Sequence, residues 1–424
     1  MKNNQNKGSK SGFRAANRPP EGVTYKVANS YFGSIYGQEE KDAVLAAMDQ
    51  EWLTNGPQTA LFEEEFASYH NTNYAFTTSN CTAALHIASD LLNLQPEDEV
   101  ITTPCTFIAT SQPILCRGSK VVFADIDKKT FNIDPKSIEE KITSSTKAIF
   151  LVHDGGHVCD MDPILELAKK HNILILEDAA RSPGAEYKGR KTGSFGDVGV
   201  FSFHCIKNMT TLGEGGMIIT DNDEYAQLTP MLRSMGVKYF FEFEEGELPD
   251  DEMIREFPFD AIEINGTIPR NYRMNESQCA VGRVQLKKLE KLNEKRRQLA
   301  HYMTEHLLEI DEITPPHEAD YCKHVYHLYN LLFEGLPFGV KTRNLIDKLN
   351  KEKGIQSGGG INMPNYLHKL YRDRGYKKGI CPIAEITHAQ SFSLPINPRL
   401  NIEDIDYMVK SVKSSVYELK HSSN

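Results

Sequence analysis

The chain has 424 residues, 40% of them hydrophobic and 25% charged, which suits a soluble globular protein with two or three domains, or one large core and a smaller lobe. A net charge of −10 argues against nucleic acid as a partner, and no apolar run approaches the roughly 18 residues that span a bilayer. The eight cysteines form no C-x-x-C pair and no metal-like spacing with histidine, so reduced thiols, a cytoplasmic location and no metal centre are expected.

Residues 1–25 are polar and basic with Pro and Gly, and read as a flexible lead-in; without an apolar h-region they are not expected to be a secretory signal. From about residue 38, helix and strand patterns alternate. EEKDAVLAAMDQEW and ALFEEEFASYH are helical, NYAFTTS is a short strand, and TAALHIASDLLNL is a helix starting near Thr82. EVITTP, KVVFADI, KAIFLVHD and ILILEDAA are short β-branched runs, with helical stretches such as ILELAKKHN between them, and VGVFSF and GMIIT continue the series. This alternation predicts an α/β fold with a mostly parallel, doubly wound sheet covered by helices.

Residues 238–262 are acidic and aromatic with two prolines and read as a long loop, either a solvated excursion or a lid or inter-subunit flap. SQCAVGRVQLKKLEKLNEKRRQLAHYMTEHLLEI is a long amphipathic helix leading to a second lobe, with a strand at VYHLYNLLF. The expected division is a large domain over 26–285 and a small C-terminal domain over 286–424.

Four segments carry chemistry. In TTSNCTAALH a strand runs through a polar turn into a helix, which aims free N–H groups and the helix dipole at one point and suits a phosphate, although many such turns bind nothing. In ILILEDAARSPG, Glu177 and Asp178 fall at a strand's carboxyl end, where ligands of parallel sheets gather; the alternative is a helix N-cap, with Ala179 and Ala180 opening a helix. Phe107, after EVITTP, is either core or a flat platform for a planar ligand. Lys207, in FSFHCIKNMTTLGEGG, is either a loop surface residue or an amine kept from water, with a lowered pKa that makes it a nucleophile toward carbonyls. Phosphate anchor, acid, aromatic and lysine are together the parts of a pyridoxal phosphate (PLP) site.

On these segments the chain resembles the DegT/DnrJ/EryC1/StrS family of PLP-dependent sugar aminotransferases. The resemblance runs from about Asn55 to about residue 410, through NGPQTALFEEEFASYH, CTAALH, PCTFIATSQPIL, DIDKKTFNIDP, LEDAA, GSFGDVGVFSFHCIKNMTTLGEGG, NYRMNESQCAVG and FSLPINPRL. It implies the aspartate-aminotransferase-like fold type I, a mostly parallel sheet plus a smaller α/β C-terminal domain. By position, Lys207 matches the Schiff-base lysine, Asp178 the acid under the pyridine nitrogen and Phe107 the stacking ring. Cys81 and Thr82 match the turn at the phosphate, and Ser202 matches a phosphate-binding hydroxyl. Asn271 matches an asparagine that reaches the neighbouring subunit's cofactor, which implies a homodimer with shared active sites.

Two positions depart from the family pattern. Cys81 stands where a glycine or another small residue is usual, and a positive φ there would be strained. Arg181 stands where Gln or His is usual; it either favours the anion of the cofactor's phenolic oxygen or binds a substrate carboxylate or phosphate. His204 assists proton transfer or is structural, and His327 and His368 fall where the family's second lobe borders the substrate cleft. The implied reaction moves an amino group from glutamate, leaving 2-oxoglutarate, to a nucleotide-linked keto-sugar in amino-sugar, surface-polysaccharide or antibiotic biosynthesis. A PLP-dependent sugar dehydratase of the same family is the alternative, and Lys207 argues against it because those members carry His there. No G-x-G-x-x-G follows the first strand and no G-x-x-x-x-G-K-[ST] occurs, so a dinucleotide or P-loop reading ranks last.

Overall fold

The computed structural model describes residues 24–29, 32–239 and 259–421. A seven-stranded sheet runs in the spatial order Tyr74–Thr78, Gly216–Thr220, Val198–Ser202, Leu174–Asp178, Thr146–Val152, Glu99–Thr102, Lys120–Phe123. Neighbours from Val198–Ser202 to Lys120–Phe123 are parallel, and Gly216–Thr220 is antiparallel to both of its partners. Val198–Ser202 and Gly216–Thr220 are buried along their length and Thr146–Val152 from Ala148 onward, which is why they read as continuous apolar runs rather than alternating ones. Helix Cys81–Leu91 covers one face through Ala84, Leu85, Ile87, Ala88 and Leu91, the far face being covered by helix Met161–His171 through Met161, Ile164 and Leu167.

The helix Glu276–Leu307 starts at Asn275, whose side chain accepts from Gln278 N in a capping box. Its buried stripe contributes Cys279, Leu286 and Leu289 to a core beneath the large sheet, then Leu299, Ala300, Met303 and Leu307 to a second core. That second core packs on an antiparallel sheet ordered Ile313–Thr314, Tyr329–Phe333, Ser391–Leu394, Gly358–Gly359. The chain then returns: Ile361, Tyr366, Tyr371, Cys381 and Ala384 are buried in the core of the large sheet.

Three expectations need correction or bounding. The strand read at VYHLYNLLF begins only at Tyr329, because the preceding residues are pinned to the turn at 155–156 by Val325 N to Gly156 O (3.2 Å) and Leu328 N to Gly155 O (3.1 Å). The stretch read as one long loop over 238–262 starts and ends in an antiparallel pair, Val237–Tyr239 with Phe259–Ala261. The residues between that pair, and the lead-in over 1–23, lie outside the described residues. All eight cysteines are free thiols, five of them buried. Among the described residues no helix is long and apolar enough to cross a membrane.

Candidate active site

Strands Leu174–Asp178 and Val198–Ser202 end side by side, with Asp178 opposite Val200. Successive side chains on a strand point to opposite faces, so Glu177 and Asp178 part company. Glu177 turns to a closed pocket and accepts from Phe195 N (2.6 Å), Gly193 N (2.8 Å), Gly196 N (2.8 Å) and His153 Nε2 (3.0 Å). Asp178 turns the other way, accepting from Thr110 Oγ1 (2.7 Å) and Ala180 N (3.1 Å). The bond to Ala180 closes a turn, and no helix follows, so the helix N-cap alternative for Asp178 does not hold.

Arg181 follows in that turn. It is nine-tenths buried, and its guanidinium is ion-paired with Asp154, which sits two residues beyond strand Thr146–Val152. The parallel pairing of Val152 with Asp178 delivers the two charges to one spot. Gly155 and Gly156 have φ of 61° and 97°, and a Cβ on Gly156 would lie 2.9 Å from Val325 Cγ2 and 3.1 Å from Arg181 O. Only glycine therefore lets the Asp154 turn wedge against Arg181. Burial pushes the Asp154 carboxyl up from its usual range, and the guanidinium opposes it; its Oδ2 has no hydrogen-bond partner.

Lys207 lies in the turn after Val198–Ser202, with its N donating to His204 O (2.9 Å). Its amine is pulled down to about 8, first by burial and then by the Arg181 cation; Cys81, Asp178 and Asp154 oppose the shift. His327 donates through Nδ1 to Asn208 Oδ1 (3.2 Å). Burial, then Lys207 and Arg181, hold its ring well below the usual histidine range, so it stays neutral. His204 is half-buried, with Nδ1 accepting from Ile206 N at 3.5 Å and Nε2 3.8 Å from Glu214.

Asn80 caps helix Cys81–Leu91 by accepting from Ala83 N (2.9 Å), which leaves the N–H groups of Cys81 and Thr82 in the first turn without a partner inside the helix. Cys81 is the first helical residue and is absent from the positive-φ residues, so the strain expected of it does not arise: the non-helical backbone belongs to Asn80, at φ −169°. Burial, then the nearby Asp178, pushes the Cys81 thiol well up. The GEGG segment explains how the helix start comes so close to the sheet. A Cβ on Gly216 would lie 2.6 Å from the Asn80 carbonyl carbon, and one on Gly215 would collide with Thr211 Oγ1. Ser202 ends its strand, its hydroxyl accepting from His204 N at 3.4 Å.

Phe107 is 65% exposed, at the mouth of the 3-10 turn Ile108–Thr110 that supplies the Thr110 hydroxyl. Asn271 is exposed, on a segment whose next residue, Tyr272, accepts from Ser79 N (2.6 Å) beside the helix start. His368 precedes the short helix Lys369–Arg372, in a segment docked on the Phe107 loop through Asn365 Nδ2 to Ser111 Oγ (3.1 Å) and Tyr371 OH to Ser111 Oγ (2.6 Å). The structure thus groups Lys207, Asp178, Arg181, Cys81 and His327 electrostatically. It adds Asp154, Thr110 and Asn80, which sequence reasoning missed. Asp154 falls just past a strand's carboxyl end, the positional signal that singled out Asp178, and Asn80 is a standard N-cap residue. Nothing in the sequence marks Thr110.

These residues fit PLP: a lysine amine with a depressed pKa, a carboxylate at the strand end, a helix start whose first N–H groups have no partner inside the helix, and a large ring left exposed at the same edge. A family model described as the DegT/DnrJ/EryC1/StrS aminotransferase family matches residues 34–413. GDP-perosamine synthase of Caulobacter vibrioides is 35% identical, over 88% of this chain and 95% of its own length. PseC of Helicobacter pylori, an aminotransferase in the biosynthesis of pseudoaminic acid, superposes with TM-score 0.81 at 29% identity, over 92% of this chain and 99% of its own. The PLP form of Spr1654 of Streptococcus pneumoniae superposes with TM-score 0.80 at 25% identity, over 92% of this chain and 99% of its own.

Proposed function

The chain belongs to the DegT/DnrJ/EryC1/StrS aminotransferase family, and we propose that it moves an amino group from glutamate to a nucleotide-linked keto-sugar, with pyridoxal phosphate bound at Lys207. The observation that carries this reading is the Lys207 amine, drawn down to about 8 and grouped with Asp178 and Arg181 at the carboxyl edge of the sheet. Bound there, the cofactor supplies the electron sink that lets an amino group pass between two carbon frameworks.

The chain's own residues do the rest. Lys207, whose amine releases its proton far more readily than an ordinary lysine, takes up and returns the proton at the reacting carbon. Asp178, oriented by Thr110 and Ala180, holds the proton on the ring nitrogen. Phe107 offers its face to the ring. The first turn of Cys81–Leu91, with Ser202, holds the phosphate. His327, neutral and hydrogen-bonded to Asn208, borders the space where substrate enters. Asn271 serves the site of a second copy. A dimer is further supported by Leu45, Met48, Trp52 and Leu53, which are each 59–65% exposed on neighbouring turns. The relative named GDP-perosamine synthase supports the nucleotide link.

The test is chemical mapping. Protein loaded with PLP and reduced with borohydride should carry the pyridoxyl label on Lys207. Protein first treated with glutamate should then return to its starting absorbance on addition of one member of a panel of nucleotide-linked keto-sugars. Label on a different lysine overturns the site, and label on Lys207 with no response to any sugar overturns the substrate class.

A further inference from the structure

Arg181 and its partner Asp154 are charged side chains of the site whose role the reaction above leaves open; the question turns on Arg181. Its two candidate roles make opposite demands on geometry. A guanidinium meant to clamp a substrate anion must be free to offer its donors to that anion. A guanidinium meant to set the charge of the site must be immobile. Here it is held: it is nine-tenths buried and ion-paired through Nη1 with Asp154, a carboxylate only 4% exposed. Asp154 is itself fixed by its N donating to Asn132 Oδ1 (2.8 Å) and by the two left-handed glycines that press its turn against the Arg181 backbone.

We propose that Asp154 and Arg181 act as a positioning pair: Asp154 pins the guanidinium beside the Lys207 amine, where the fixed cation favours that amine's neutral, nucleophilic form and is withheld from the substrate. Burying an arginine alone would be costly, and burying it against one carboxylate makes the placement tolerable. The other charged and titratable groups facing Lys207 are Asp178 from the adjacent strand end, Cys81 from the helix start and His327 from the second lobe, and His204 lies on the same loop. Arg181 is the largest electrostatic influence on the amine after burial, and Asp154 acts on it with the opposite sign. Removing one partner or the other therefore pushes the amine in opposite directions, a signature that a merely structural pair would not give.

The inference rests on the PLP reading, but its first arm is run on the cofactor-free chain and so fails separately. The Lys207 amine is titrated by its rate of acylation with a small uncharged ester, quantified by peptide mapping across pH. Arg181→Gln should move the profile to higher pH and lower the rate at pH 7 by about tenfold, since a neighbouring cation is commonly worth one pH unit or more. Asp154→Asn should move it to lower pH, and Arg181→Lys should restore most of the wild-type profile. In the second arm the loaded protein's absorbance is titrated, and its midpoint should rise in Arg181→Gln. Unchanged profiles in both single variants, each folded by Tm, overturn the proposal. So does an unchanged profile accompanied by a raised KM for one anionic substrate, which would make Arg181 a substrate clamp. Absence of borohydride label on wild-type Lys207 would instead refute the cofactor reading and leave the acylation result standing.

Discussion

The two sides of one strand end are built to different plans. Behind the end of Leu174–Asp178, four donors converge on Glu177: three backbone N–H groups from 193–196 and the His153 ring. In front, Asp178 receives two donors, Asp154 keeps one oxygen without a partner, and Lys207 is held half-buried with its amine drawn down to about 8. A buried carboxylate whose bonding is saturated holds a loop in place. One with bonding capacity to spare, among perturbed charges and beside an exposed aromatic ring, is set up for a ligand. Adjacent residues of the same chemical type thus take different roles because the strand sends them to different environments.

The contrast is broken most forcefully at Lys207. Lys207→Ala should lower kcat by about a thousandfold or more while Tm stays within a few degrees of wild type, because the change relieves a buried charge and removes the nucleophile. Retained turnover would place the chemistry elsewhere.

The paired acids come next. Asp178→Asn should cost about a hundredfold in kcat with little change in stability, the Ala180 N–H still being able to donate to the amide oxygen. Glu177→Gln should do the reverse: a loss of about 1–3 kcal/mol in urea unfolding, with turnover per folded molecule within about twofold of wild type, because it weakens four hydrogen bonds and touches no ligand. If Glu177→Gln abolished turnover in a fully stable protein, the back pocket would not be merely structural. A smaller effect belongs to Thr110→Val, which keeps the side chain's shape and removes the hydroxyl on Asp178. A hydrogen bond to a charged group is worth enough to predict about a tenfold fall in kcat, and an unchanged kcat would mean that Ala180 alone orients the acid.

How far the sequence revealed this arrangement depends on the distance over which each signal acts. Strands such as Thr146–Val152 and Val198–Ser202 were legible because a doubly buried parallel strand must be apolar throughout. Asp178 was legible from the strand before it, and Lys207 from FSFHCIKN followed by GEGG. Asp154 was not, because its meaning comes from Arg181, 27 residues away, and the contact exists only through the register of Val152 against Asp178. The mistaken strain at Cys81 came from placing the irregular backbone one residue late, since Asn80 is the cap. The antiparallel pairing of Val237–Tyr239 with Phe259–Ala261 escaped notice because three-residue strands carry too little alternation to read.

A further effect reads the front pocket through stability alone. In the cofactor-free chain the Lys207 amine titrates near 8 when folded, against an ordinary 10.5. Below about pH 8 both folded and unfolded chains hold the proton, and the folded one bears the cost of a charge away from water beside Arg181. Between about 8 and 10.5 the folded chain has released the proton while the unfolded chain keeps it, so this group's contribution to stability rises with pH through that window and levels off above it. Wild type and Lys207→Met, unfolded in parallel by urea from pH 7.5 to 10, share every other titrating group, so their difference isolates the amine. Wild type should gain on Lys207→Met as pH rises, and the gain should shrink when both carry Arg181→Gln, because losing the cation narrows the gap between the two pKa values. A difference independent of pH would mean that the amine behaves as on an open surface, and the front of the strand end would then be no more perturbed than the back.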